Sequence, residues 1–205
     1  MPTASHLRTA DATSLHTRSN SADEEAVKVT RIKRFLSVRE MAVFSMLGAL
    51  MFISKMVMEF LPNMHLLGVL TIVYTLVYRY KALIPIYIYV LMNGVYAGFN
   101  FWWMPYLYIW TLLWGAAMLL PKRMPKWAKC AVYPVVCSLH GFLFGVLYAP
   151  AQALAYGLDF EGTIAWIAAG APFDIIHGAS NFCVGFLIYP LSELLIRLEK
   201  RQVMN

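Results

Sequence analysis

Between its fourth and fifth apolar stretches the chain reads PKRMPKWAK at residues 121–129, which places four cations in nine residues. A second basic connection, Arg79-Tyr80-Lys81, separates the second apolar stretch from the third, and three more cations follow the sixth. Seven of the 17 Lys and Arg residues precede or open the first stretch. The connections in between carry no Lys or Arg. The positive-inside rule therefore predicts six membrane spans with both termini in the cytoplasm.

Composition supports the same fold class. The chain has 205 residues, of which 60% are hydrophobic and only 14% charged, so an ordinary soluble domain is excluded. Six spans of about 20 residues leave no room for a separate catalytic domain. We therefore expect an all-α integral membrane protein, multi-pass in a cell membrane. Its apolar stretches are residues 40–61, 64–78, 82–99, 102–120, 128–150 and 172–196.

Three regions follow along the chain. Residues 1–36 are rich in Ser and Thr and have no continuous apolar core, which predicts a disordered cytoplasmic tail rather than a secretory signal. Residues 37–200 form the predicted six-helix membrane domain, and residues 201–205 a short cytoplasmic tail. Ser37-Val38-Arg39-Glu40 has the pattern of a capping box and predicts the start of the first helix.

One apolar stretch and one connection predict features of the outer side of the membrane. The second apolar stretch is short, so we expect a span whose outer end stops below the membrane surface; a re-entrant hairpin would reverse the charge pattern of all later connections. The connection at residues 151–171 is the longest on that side. Its apolar patch, residues 164–167, predicts a short separate helix over the outer face.

Polar residues within the apolar stretches are costly in a bilayer, so each one needs a reason. Counted along the helices from the basic connections, nearly all of them fall in the outer half of the membrane. They are the candidate substrate-binding residues: Lys55, Glu59, Asn93, His140, Asp174, His177 and Asn181.

Asp174, His177 and Asn181 form the most specific pattern, because helical spacing places them within about 60° of one another. Gly178 and Gly185 lie on the same stripe and allow close approach. Three interpretations stay open: a ligand-contacting face, a structural role with Asp174 as a helix cap, and metal binding. A metal is disfavoured because only one imidazole lies on this stripe.

Lys55 and Glu59 have i, i+4 spacing, so they form either an ion pair near the outer boundary or opposite charges lining an outer cavity. His140 is equally compatible with a hydrogen-bonded core histidine and a ligand contact. Several aromatic residues near the outer side fit an interfacial belt, and their rings would also stack on a flat heterocycle.

The inner half of the first helix carries the small residues Ala42, Ser45 and Ala49. Small residues four apart let another membrane helix approach closely. Ser45 and Ala49 point away from Lys55, so a docking face and a cavity can coexist on one helix.

At this point the chain resembles the substrate-binding S components of energy-coupling factor vitamin transporters. The resemblance covers about residues 37–200 and is carried by residues 42–50 (AVFSMLGAL), by Leu61-Pro62-Asn63, and by residues 170–177 (GAPFDIIH) followed by Asn181.

This resemblance implies a subunit that binds a vitamin or related micronutrient in a cavity under the loop joining helices one and two. It implies partners as well: a membrane coupling subunit and two cytoplasmic ATPases, with toppling in the bilayer to release substrate inward. The family's Ala-x-x-x-Ala coupling pattern reads Ser45-x-x-x-Ala49 here. No cofactor, no enzymatic activity and no nucleic-acid partner are expected, and a bacterial cell membrane is the expected location.

Two other functions compete with this one. A membrane-embedded enzyme would use Asp174, His140 and His177 as acid–base groups, but the sequence has no paired metal-ligand motif and no Gly-x-Ser-x-Gly elbow. A self-sufficient secondary transporter or channel would need polar residues through the inner half, where Leu, Ile and Met stand instead. A Gly-x-x-x-x-Gly-Lys-Ser/Thr nucleotide loop is also missing, in keeping with separate ATPase partners. The sequence does not identify the substrate.

Overall fold

The computed structural model describes residues 36–61 and 63–203, and every regular element within them is helical. The predicted all-α fold class is therefore confirmed. Two short 3-10 turns, Arg79–Ala82 and Phe101–Trp103, interrupt the α-helices. In this part of the chain the α-helices are α1 (Val38–Val57), α2 (Leu67–Tyr78), α3 (Leu83–Ala97), α4 (Tyr106–Leu119), α5 (Lys126–Phe142), α6 (Phe144–Tyr156), α7 (Phe160–Gly185) and α8 (Ile188–Val203).

Several of these helices are those of a multi-pass membrane protein. By length and composition, three helical stretches of the described chain can cross a membrane: Val38–Val57, Leu67–Ala97 and Lys126–Tyr156. Phe160–Gly185 and Ile188–Arg201 qualify as a fourth when taken together, with a 50° bend between them.

The surface agrees with a lipid environment. Large apolar side chains face outward along the helices, for example Met46 on α1, which is 72% exposed, and Val95 on α3, which is 75% exposed. Apolar surface of this extent is rare on soluble monomers and marks a membrane or protein interface.

The first helix begins as the sequence predicts. The Ser37 backbone N–H donates to Glu40 Oε2 at 2.9 Å, and the Glu40 N–H donates to Ser37 Oγ at 3.1 Å. This reciprocal pair is a capping box and satisfies two otherwise unpaired donors. The chain divides into the units Met1–Met41 and Ala42–Asn205. The predicted tail of residues 1–36 lies outside the described residues except for Leu36.

Helix α2 runs antiparallel to α1. The Tyr74 hydroxyl donates to the Leu47 carbonyl at 3.2 Å, and one turn later the Tyr78 ring meets the Phe44 ring at 5.0 Å. As α2 advances, its contacts therefore move back toward the start of α1. At 12 residues α2 is about 18 Å long, so the prediction of a short second helix is confirmed.

Helix α3 runs in the opposite direction to α2. Gly48 of α1 packs against Ile88, and further along α1 the Phe52 ring lies 5.6 Å from the Tyr96 ring. As α3 advances, its contacts therefore move toward the end of α1. The chain reverses within the four-residue turn between α2 and α3, so the stretch Leu67–Ala97, which qualifies as a span by length and composition, is folded into two antiparallel helices of 12 and 15 residues.

Helices α5 and α6, separated only by Leu143, pack antiparallel to α7. Two glycine contacts make the approach possible. A Cβ on Gly141 would lie 2.9 Å from the Cα of Gly178, and one on Gly185 would lie 2.7 Å from the Cα of Pro134. Since backbone cannot yield as a flexible side chain does, glycine is required at these positions. The predicted close approach along the Gly178 and Gly185 stripe is confirmed.

The predicted long outer connection at residues 151–171 is wrong, as is the separate short helix at residues 164–167. Helix α6 extends to Tyr156, and after a short turn α7 begins at Phe160 and runs unbroken through residues 164–167 and past residue 171. Asp159 starts α7, because its side chain accepts from the Gly162 N–H at 2.7 Å. The sixth predicted apolar stretch began at residue 172, but Pro172 lies inside α7, where a membrane helix tolerates it.

Candidate functional site

Trp110 of α4 is the hub of a buried group of rings in the interior of the bundle. It is 1% exposed and stacks on Tyr106 of its own helix, with ring centroids 6.1 Å apart. Tyr89 of α3 meets it edge-on at 6.0 Å. Rings from α5, α6 and α7 and from the connection before α2 complete the group. We call the whole set the aromatic centre, and its members are His65, Tyr89, Tyr106, Trp110, His140, Phe144 and His177.

Three histidines from three different segments meet in this centre. The His65 and His177 rings are 4.7 Å apart, and His140 lies 5.7 Å from Trp110. The Phe144 ring lies between His140 and His177, with ring centroids 6.0 Å from the first and 5.0 Å from the second. The fold therefore brings together the two histidines that the sequence singled out, His140 and His177.

Several polar atoms of the centre are buried without a hydrogen-bond partner among the described residues. They include Nδ1 of His65 and of His140, Nε2 of His177, and Nε1 of Trp110. The other ring nitrogen of His140, Nε2, contacts the Ile109 carbonyl at 3.3 Å. Buried polar groups are normally paired, so a cluster of unpaired ones needs a specific reason. These atoms are potential hydrogen-bond donors and acceptors buried among the rings.

Two asparagines extend the pattern. Asn93 is 0% exposed, lies one helical turn after Tyr89, and has no partner for either side-chain atom among the described residues; the Tyr89 hydroxyl is also unpaired there. Asn181 donates from Nδ2 to the Cys137 carbonyl at 3.3 Å and leaves Oδ1 unpaired. Both predicted asparagines are thus fully buried.

Asp174 has a different environment. Both of its carboxylate oxygens lie 3.1 Å from the Gly145 backbone nitrogen, in the first turn of α6. The carboxylate therefore caps a neighbouring helix and complements its positive end. Asp174 does not lie in the first turn of its own helix, which begins at Phe160. This contact favours the structural interpretation of the residue.

Lys55 and Glu59 form the predicted i, i+4 ion pair, with Nζ and Oε1 3.5 Å apart. The Glu59 side chain is 59% exposed, against 23% for Lys55. Such an exposed carboxylate faces outward, which favours the ion-pair alternative for Glu59. A pair of this kind contributes little to stability.

The small-residue face of α1 is on the outside. Ala42 and Ser45 are exposed and Ala49 is half-buried, whereas Phe44, Gly48 and Met51 face the core. Within the described residues, no group of three His, Cys, Asp or Glu side chains is arranged to hold a metal ion.

Sequence reasoning missed His65 and Trp110 as members of the site. A usable signal existed for His65: of five histidines, only three lie beyond the N-terminal tail, and all three meet here. Trp110 carried no such signal, because a tryptophan in an apolar helix is ordinary.

Comparison with protein-family models, with curated proteins and with solved structures finds no match to this chain.

Proposed function

We propose that the chain is the membrane-embedded substrate-binding subunit of an energy-coupling factor importer. In this role it captures a vitamin or related small micronutrient from the extracellular side for ATP-driven uptake by partner subunits. The aromatic centre carries the proposal: a buried set of rings and unpaired neutral polar atoms is what a small heterocyclic solute needs for stacking and hydrogen bonding.

The binding set we propose is centred on the three histidines, together with Asn93 and Asn181. A solute that pairs their buried polar atoms would remove the penalty of leaving those atoms unpaired. Asp174 would act by holding the start of α6 in place beside the centre. Lys55 is the remaining charged candidate for direct contact with a polar substituent.

Access to the centre is proposed to run through the connection between α1 and α2. His65 belongs to this connection, and the Asn63 carbonyl accepts from Ser180 Oγ at 3.1 Å on α7. Displacing the connection would therefore remove one wall of the centre. The resemblance described above places the family's cavity under the same loop.

We propose a topology of six spans with both ends in the cytoplasm, which would give this orientation. Arg79 bonds the Met118 carbonyl at the end of α4, and Lys129 of α5 pairs with Glu193 of α8. Basic residues of two separate connections thus lie where helices from both halves of the chain end. By the positive-inside rule that end would lie in the cytoplasm, and we propose that the aromatic centre lies toward the outer side.

Transport would require partners: a membrane coupling subunit and two cytoplasmic ATPases. The outward small-residue face at Ala42, Ser45 and Ala49 is the proposed contact with the coupling subunit. Ser45→Leu should block close helix approach and reduce recovery of the coupling subunit, while ligand affinity stays unchanged. Equal loss of both properties would argue against separate faces; Met46→Leu, which is exposed on the same helix, is the matched control.

Mass spectrometry of small molecules released from the purified full chain tests the proposal and names the substrate. We expect one stoichiometric ligand, no turnover of it, and no solute flux when the chain alone is reconstituted in liposomes. Co-expressed ATPases and coupling subunit should co-purify with it. Flux by the chain alone would favour a secondary transporter, and conversion of the ligand would favour an enzyme.

A further inference from the structure

A polar cavity of about 330 Å³ lies at the basic end of the bundle and takes no part in the proposed substrate site. We call it the basic cavity. Apolar side chains, among them Leu76, Leu120 and Ile196, form part of its wall. Its polar lining is Arg79, Lys122, Lys129, Tyr133, Ser192 and Glu193.

The charges of this lining do not balance. Three cations face one carboxylate, a net charge of +2 (3 minus 1). Lys129 is the cation already matched, since its Nζ lies 3.5 Å from Glu193 Oε1. The excess therefore rests on Arg79 and Lys122. A half-enclosed space with excess positive charge attracts an anion, and its low-dielectric wall strengthens that attraction.

Arg79 is held in the cavity wall at a conformational cost. Its φ of 56° and ψ of −120° are rare for any residue other than glycine. Two bonds to α4 keep it there: the Trp114 indole N–H donates to the Arg79 carbonyl at 3.0 Å, and the guanidinium donates to the Met118 carbonyl at 2.9 Å. One of five guanidinium donors is used in that bond, so the rest of the fork can serve an anion.

We propose that the basic cavity binds a phosphate group at the cytoplasmic face of the membrane. Arg79 and Lys122 would contact the phosphate oxygens, and the apolar wall would contact whatever the phosphate is attached to. An acidic phospholipid supplies both parts, because its headgroup lies at this depth and its glycerol and chains lie beside the wall. A soluble phosphate compound supplies only the first.

The test uses the full chain in nanodiscs of phosphatidylcholine, with or without phosphatidylglycerol. Native mass spectrometry then counts the lipids retained after transfer to mild detergent. Lys122→Gln should lower phosphatidylglycerol retention about fivefold, since one cation near an anionic headgroup is worth that much. Lys126→Gln removes a cation from the same connection outside the cavity lining and should leave retention unchanged.

A second variant acts in the opposite direction. The Glu193 carboxylate repels a bound phosphate and engages Lys129, so Glu193→Gln should raise phosphatidylglycerol retention. This variant leaves Arg79 in place. Its result therefore does not depend on whether the turn between α2 and α3 can form without Arg79. A soluble source is tested separately, by measuring the thermal melting temperature of the full chain with and without millimolar inorganic phosphate.

The outcomes separate the sources and decide the proposal. Preference for phosphatidylglycerol, lost in Lys122→Gln and kept in Lys126→Gln, identifies a lipid. Stabilisation by inorganic phosphate with the same dependence on Lys122, and without lipid preference, identifies a soluble phosphate. Equal effects of the two lysine variants, lower retention in Glu193→Gln, or no response to either anion would overturn the site.

Discussion

The aromatic centre and the basic end of the bundle differ in how their polar groups are paired. At the basic end, Arg79 bonds Met118, Lys129 pairs with Glu193, and the Tyr78 hydroxyl donates to Glu199 at 2.9 Å. In the centre, polar atoms of three histidines and of Trp110 are buried and have no hydrogen-bond partner within the described residues.

The contrast indicates what each region is for. Paired groups at the basic end lock helix ends together and contribute to the fold. Unpaired groups in the centre weaken the fold, since each costs about 1–3 kcal/mol when buried alone. A protein keeps such atoms when something outside the chain pairs with them, and that is why we place substrate binding in the centre.

The largest expected effect comes from removing the hub of the centre. Trp110→Ala should lower the free energy of unfolding by about 3–5 kcal/mol, because it deletes a large buried ring and leaves a void. Denaturation in detergent measures it. Trp127, which is 76% exposed, provides the control: Trp127→Ala should have almost no effect. Similar losses in the two variants would contradict the central role of Trp110.

The second effect separates binding from stability. His177→Phe keeps a ring of similar size but removes both nitrogens, so ligand affinity should fall by about 1–3 kcal/mol while stability is unchanged or higher. Equilibrium binding of the ligand identified by mass spectrometry measures this loss. Thr75→Val is the control, because the Thr75 hydroxyl is buried in α2 and bonded to the Thr71 carbonyl at 2.6 Å. Normal affinity in His177→Phe would remove the centre from the binding site.

A third variant tests the assignment of Asp174. Asp174→Ala removes the cap of α6 and should lower stability by about 0.5–2 kcal/mol, with ligand affinity of the folded protein maintained. Asp159→Ala removes a comparable cap from the start of α7, 15 residues before Asp174 in the sequence, and serves for comparison. An affinity loss as large as that of His177→Phe would return Asp174 to the substrate-contacting residues.

The smallest effect is expected at the ion pair of α1. Glu59→Gln should change stability by no more than about 1 kcal/mol, because exposed pairs contribute little. Lys55→Gln should match it in both stability and affinity if the two residues only pair with each other. Thermal melting and ligand titration of both variants decide this, and selective loss of binding in Lys55→Gln would place Lys55 against the substrate.

Much of the fold follows from sequence patterns that have a local cause. The capping box at Ser37 and Glu40 was predictable because both partners lie within four residues. The short α2 was predictable from the length of its apolar run. The extent of α7 was not, because Gly170 and Pro172 are read locally as helix breakers, whereas packing against α5 and α6 keeps the helix continuous.

The candidate site was predictable in part. His140, His177 and Asn181 stood out because polar residues are expensive in apolar segments, and the structure buries all three. A capping role for Asp174 was among the predicted alternatives, but the helix that it caps was not predictable, since its partner Gly145 lies 29 residues earlier and no helical periodicity links them. Trp110 escaped notice because only tertiary contacts distinguish it from other membrane tryptophans.

Helix α2 is short, yet its residues from Leu67 to Thr75 are all buried inside the protein. An enclosed helix does not meet lipid, so hydrophobic mismatch with the surrounding bilayer is not felt along its length. The helical stretch Lys126–Tyr156, at 31 residues or about 46 Å, exceeds a hydrocarbon core of about 30 Å and must adapt by tilting or projecting. Changes in membrane thickness would therefore be absorbed by the stretch Lys126–Tyr156, whereas the enclosed α2 would keep its place among its neighbours.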